Sequence, residues 1–85
     1  MGKHEKLMIK ILSGRQDANI LFSEAVTLMK SLGFTLRIKG SHHIFSKKGV
    51  DEIINIQPDG SKAKVYQIRQ IRNLIIDYQL EEENE

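Results

Sequence analysis

The sequence predicts an α+β domain: a three-stranded antiparallel sheet with helices packed on one face, preceded by an N-terminal helical extension. Three observations point there. Apolar residues recur at three- and four-residue spacing in three separate stretches, the period drops to two between the second and the third, and turn residues cut that period-two region into three short segments. A sheet so small has one apolar side, and helices laid on that side cover it. With 85 residues and no internal repeat or long linker, one core serves the whole chain. The division expected is an extension over residues 1–22, a domain over 23–80, and a disordered acidic tail over 81–85.

Residues 4–12 read as the first helix, with Leu7, Met8, Ile11 and Leu12 on one stripe and Lys3, Lys6 and Lys10 off it. Ser13-Gly14 ends it, and the polar stretch from Arg15 to Asn19 leads through Ile20-Leu21-Phe22 as a connection. Ser23 is the expected N-cap of the second helix. Glu24 suits the positive end of the helix dipole, and Ala25, Leu28, Met29 and Leu32 form the buried stripe. Gly33 stops that helix.

Phe34, Leu36 and Ile38 then alternate with Thr35, Arg37 and Lys39, the pattern of a half-buried strand. Gly40-Ser41 turns the chain into a return strand from His42 to Ser46. Lys47-Lys48-Gly49 turns it again into a third, β-branched strand around Ile53-Ile54-Asn55-Ile56, and Pro58-Asp59-Gly60 closes the meander. The last helix runs from near Lys64 towards Leu80 on a stripe of Val65, Ile68, Ile71, Ile75 and Tyr78, and Glu81 to Glu85 is expected to fray into solvent.

Composition narrows the function classes. There is no cysteine, so disulfide scaffolds and thiolate metal sites are excluded, and a reducing cytoplasmic setting is expected. The apolar stretch after the N-terminus is interrupted at Lys10, so it builds neither a signal-peptide core nor a membrane span, and no membrane association is expected. Thirteen Lys and Arg stand against eleven Asp and Glu, but four of those acids are Glu81, Glu82, Glu83 and Glu85. The body before them therefore carries thirteen basic and seven acidic side chains, a surplus that attracts polyanions.

Two of the three histidines are adjacent, in Gly40-Ser41-His42-His43 at the entrance to a strand. Neighbours on a strand point to opposite faces, so one of the two faces the open side. An imidazole titrates near neutral pH and can take a proton from a ribose 2′-hydroxyl or give one to a leaving oxygen, chemistry that needs no metal and no cofactor. The phosphate being attacked needs charge and positioning. Lys39, Lys47, Lys48, Arg69 and Arg72, with the backbone of the Gly40-Ser41 turn, are candidates to supply them. Lys62 and Lys64 precede the last helix, where an anion would offset their placement at its positive end.

Other constellations are missing. There is no nucleophile elbow and no Gly-Lys-Ser/Thr phosphate loop, while Asp51, Glu52, Asp59 and Asp77 have no evident common focus for two-metal chemistry. Two diverging histidines with no third ligand at a characteristic spacing do not make a zinc site.

Gly33-Phe34, the strand with Arg37, and Lys39-Gly40-Ser41-His42-His43-Ile44-Phe45 resemble the signature of HicA-type mRNA interferase toxins, and the similarity continues through Asp59-Gly60-Ser61-Lys62 and Gln67-Ile68-Arg69. The resemblance implies a fold like the double-stranded-RNA-binding domain, ribosome-independent cleavage of mRNA, and neutralisation by a HicB-like antitoxin covering the catalytic face. It puts the catalytic histidine, the last member of Gly-Ser-x-His, at His43, with Gly40 and Ser41 shaping the turn and His42 in the variable place. The third strand departs from the family pattern, since Ile53 to Asp59 contains no histidine.

The expected activity is therefore a metal-independent endoribonuclease toxin with His43 as general acid/base, while the face His43 takes stays open because Ile44 and Phe45 are both apolar. The alternatives are a non-catalytic RNA-binding module on the same surface, which would bind a duplex without turnover, and a plain protein-interaction domain with no affinity for RNA.

Overall fold

The computed structural model describes residues 3–83. Helix α1 spans Glu5–Ser13 and ends where Gly14 turns left-handed at φ 73°. A single 3-10 turn, Asp17–Asn19, leads to α2, Phe22–Ser31. The strands follow as β1 (Thr35–Lys39), β2 (His42–Lys47) and β3 (Val50–Ile56), then a short hairpin of β4 (Pro58–Asp59) and β5 (Lys62–Ala63), and finally α3 (Val65–Tyr78). The main sheet is antiparallel in the order β1-β2-β3, and β4-β5 pair separately.

The predicted class and element order hold, with physical reasons for the differences. Helix α2 starts one residue before Ser23, because the Glu24 carboxylate accepts the Leu21 N–H at 2.9 Å and the Phe22 N–H is taken by the Ser61 carbonyl at 2.9 Å. With Leu21 as N-cap, Ser23 lies inside the helix, exposed. Nor is Ile20-Leu21-Phe22 a mere connection. Ile20 is fully buried and accepts the Ala63 N–H at 2.9 Å, while Leu21 bridges to Lys62, so the segment adds a short edge to the β4-β5 hairpin.

At the other end of α2, Gly33 N–H bonds to Lys30 O at 3.0 Å and Phe34 N–H to Met29 O at 3.1 Å. This pair of bonds needs the left-handed Gly33, whose φ is 93°. Phe34 thereby enters the core and the chain turns into β1.

Cross-strand register decides which side chains share a face. Leu36, Phe45 and Ile54 stand opposite one another across the three strands, and Ile38, His43 and Ile56 form the next row. Phe45, Ile54 and Ile56 join Leu28, Met29, Leu32, Ile68, Ile71 and Ile75 in one buried cluster, so this is the helix-covered face. Helix α1 contributes Ile11, fully buried. Such a side chain stabilises by about 1.5–3 kcal/mol. In α3 the buried stripe runs through Gln67, Ile68, Ile71, Leu74 and Ile75, with Val65 at its exposed margin.

The acidic tail is not free where it is described. Glu83 donates its N–H to Ser31 O at 2.7 Å and its carboxylate meets Lys47 Nζ at 2.6 Å, while the Glu82 carboxylate accepts the His4 N–H at 3.0 and 3.1 Å. These contacts are what the structure gives for the segment expected to fray; its last two residues, Asn84 and Glu85, lie outside the described residues.

Candidate active site around His43

The start of α2, itself tied to the β4-β5 hairpin, meets the end of the central strand β2 at His43. Gly40 (φ 63°) and Ser41 make the turn between β1 and β2, which brings Lys39 opposite His42 and Ile38 opposite His43. His43 shares a face with Phe45, two residues on, and so points to the helix-covered side; His42 takes the open side. The choice of face that the sequence leaves open thus falls to the helix-covered side, with His43 half-buried. The helix layer ends just beyond it, since Ile38 in the same row is 62% exposed.

Two contacts hold the imidazole. Its Nδ1 lies 3.3 Å from the Ser41 carbonyl oxygen. A carbonyl can only accept, so this bond assigns the proton to Nδ1 and leaves Nε2 as the unprotonated nitrogen of the neutral ring. The Phe22 ring meets the imidazole edge to face, with centroids 4.8 Å apart and planes at 84°. Sequence reasoning missed Phe22, whose signal was an apolar run, Ile20-Leu21-Phe22, longer than a surface connection needs.

On the open face, His42 Nδ1 lies 3.1 Å from Asn55 Oδ1 and 3.2 Å from Gln57 Nε2. Gln57 is itself fixed through its backbone. With its amide turned to match, the buried Gln67 accepts the Gln57 N–H at 3.0 Å and donates to the Gln57 carbonyl at 3.2 Å. This pairing secures the end of β3 where the hairpin begins.

The basic candidates separate into groups. Lys39, Gly40 and Ser41 lie at the turn beside His43, exposed, and Lys62 lies on the hairpin bridged to Leu21, next to Phe22. Lys64 is the N-cap of α3 and half-buried, and Arg69 is exposed one turn further on. Lys47 and Lys48 are at the far end of β2, roughly 14 Å along the strand from His43, and Lys47 is paired with Glu83. Arg72 is committed inside the fold: its guanidinium bonds both Asp17 carboxylate oxygens, at 2.9 and 3.1 Å, and the Ile11 carbonyl at 3.2 Å. No group of three or more His, Cys, Asp or Glu side chains gathers in a metal-binding arrangement among the described residues.

The family model for the HicA toxin of bacterial toxin–antitoxin systems matches residues 22–77, about two thirds of the chain. The chain belongs to the HicA toxin family. The match begins at Phe22, the first residue of α2, and ends within the last turn of α3, so it takes in the His43 turn, Phe22 and the whole sheet. Helix α1 and the acidic tail lie outside it. Membership in the HicA family implies an antitoxin partner. No match is found among the curated proteins or the solved structures. No helix among the described residues is long and apolar enough to cross a membrane.

Proposed function

We propose that this HicA-family chain is an endoribonuclease that cuts mRNA without a metal, with His43 as its general acid/base, and that a HicB-like antitoxin neutralises it. The observation that carries the reading is the Ser41 carbonyl 3.3 Å from His43 Nδ1. That bond leaves Nε2 with a lone pair at the rim of the helix layer. There it can take the proton of a ribose 2′-hydroxyl, whose oxygen then attacks the adjacent phosphorus. The bond from phosphorus to the 5′-oxygen breaks, and that oxygen leaves with a proton returned by the imidazolium or by water. RNA supplies its own nucleophile, so neither metal nor cofactor enters the step.

The exposed Lys39, opposite His42 at the turn, and Lys62, on the hairpin strand bridged to Leu21, are with Gly40 and Ser41 the groups assigned to hold the phosphate, and Lys64 and Arg69 extend the basic surface along α3. Lys47, Lys48 and Arg72 stand outside this set: the first two are remote and Arg72 is occupied by Asp17.

The test is cleavage of a labelled RNA in EDTA by the unchanged chain, His43→Ala and His43→Gln, each checked for folding. Cleavage by the unchanged chain and a loss of at least about a hundredfold in both variants is expected, within the range for removal of a general base. Salt-dependent binding by all three proteins without turnover would replace this reading with the RNA-binding module. Undiminished cutting by folded His43→Ala would end His43's role.

A further inference from the structure

We propose that Phe22 is a positioning residue for His43, so that the segment entering α2 belongs to the catalytic machinery; this rests on the reading of His43 given above. An imidazole on a strand turns about two soft side-chain torsions, and one hydrogen bond to Ser41 lets the ring pivot around that bond. The Phe22 ring, 4.8 Å away at 84°, meets the imidazole as an edge-to-face aromatic pair and restricts that pivot. Of its two cross-strand neighbours, Ile38 on β1 is 62% exposed and Ile56 on β3 is fully buried, so Phe22 is the aromatic partner of the ring beside one open and one packed flank.

Phe22 can act this way only if it is itself held, and it is. Its N–H is bonded to Ser61 O at 2.9 Å, the preceding Leu21 N–H to Glu24 Oε1 at 2.9 Å, and Ile20 O to the Ala63 N–H at 2.9 Å. These bonds tie the start of α2 to the β4-β5 hairpin on one side and to its own first turn on the other. Phe22 itself is only partly buried, packed at the margin of the core cluster, so its ring is held in place while one side of it remains available to the imidazole. The arrangement pre-orients Nε2 before RNA arrives, which spares the reaction the cost of ordering the base.

The test follows the imidazole directly by NMR on protein carrying 15N-labelled histidine, in the unchanged chain, Phe22→Leu, Phe22→Tyr and the control Val26→Ala. Val26 lies one turn further along α2 and is also partly buried. In the unchanged chain, His43 is expected as a single Nδ1-protonated tautomer with through-space contacts to the Phe22 ring. Phe22→Leu should give averaged tautomer signals and about a tenfold lower kcat on RNA with KM within about twofold, Phe22→Tyr should restore both, and Val26→Ala should leave the His43 signals in place.

Lack of the Phe22–His43 contacts in the unchanged chain would overturn the proposal even if Phe22→Leu failed to fold. So would His43 signals and kcat in folded Phe22→Leu that match the unchanged chain. If the unchanged chain cut no RNA, the nuclease reading would fail, while the NMR measurements would still decide whether Phe22 orients His43.

Discussion

At the scale of single residues, the orientation of His43 follows from a competition between neighbours. Ile44 and Phe45 are both apolar, and only one can face the core; Phe45 is fully buried, while Ile44 stays half-buried between Arg37 and Asn55 on the open face. Burying the larger apolar surface carries His43 inwards with Phe45. The sequence shows the histidine pair and its turn but leaves this choice open, because a one-residue change of register exchanges the two faces. A second local group responds to pH. The Tyr78 hydroxyl donates to Glu52 Oε1 at 2.6 Å, which raises its pKa above the usual 10.0; the Asp51 N–H opposes this, and burial adds little. Because the folded value is raised, this contribution to stability is complete below the unfolded pKa and is lost as pH rises through the folded one. Ultraviolet titration should show Tyr78 ionising above its ordinary range and returning towards it in Glu52→Gln. An unchanged titration in that variant would contradict the assignment.

At the scale of elements, α1 is held to the domain by Ile11 and by the ion pair of Arg72 on α3 with Asp17, whose side chains are 18% and 12% exposed. Removing one partner leaves the other charge poorly solvated and frees the Ile11 carbonyl. Arg72→Met is expected to cost about 2 kcal/mol, on the order of 10 °C in Tm, while the folded variant keeps its RNA affinity. A loss of RNA affinity with unchanged Tm would instead make Arg72 a phosphate ligand. Sequence spacing could not reveal this, since Arg69 and Arg72 lie one turn apart on α3 whereas Asp17 is 55 residues from Arg72. Periodicity did locate all three helices and the three main strands. It missed the Leu21 cap, set partly by the distant Ser61, and the β4-β5 hairpin, whose two-residue strands, Pro58–Asp59 and Lys62–Ala63, are too short to carry a period.

At the scale of the whole molecule, charge and chemistry are arranged around one end of the sheet. The turn carrying Lys39, Gly40 and Ser41, the hairpin carrying Lys62, and the start of α2 converge on His43, while Glu83 neutralises Lys47 at the opposite end of β2. The basic surplus of the sequence is therefore not spread evenly as phosphate-binding surface: part of it pairs internally, and the part beside His43 remains exposed. This distribution supports an RNA strand lying across the Gly40-Ser41 turn with its ribose against the imidazole. The most direct test of that account replaces the nucleophile rather than the protein. The unchanged chain should cut an RNA that it binds in EDTA, and should leave the same RNA uncut, though bound, when every 2′-hydroxyl is methylated. Cleavage of the methylated RNA would contradict attack by the 2′-oxygen and, with it, the role assigned to His43.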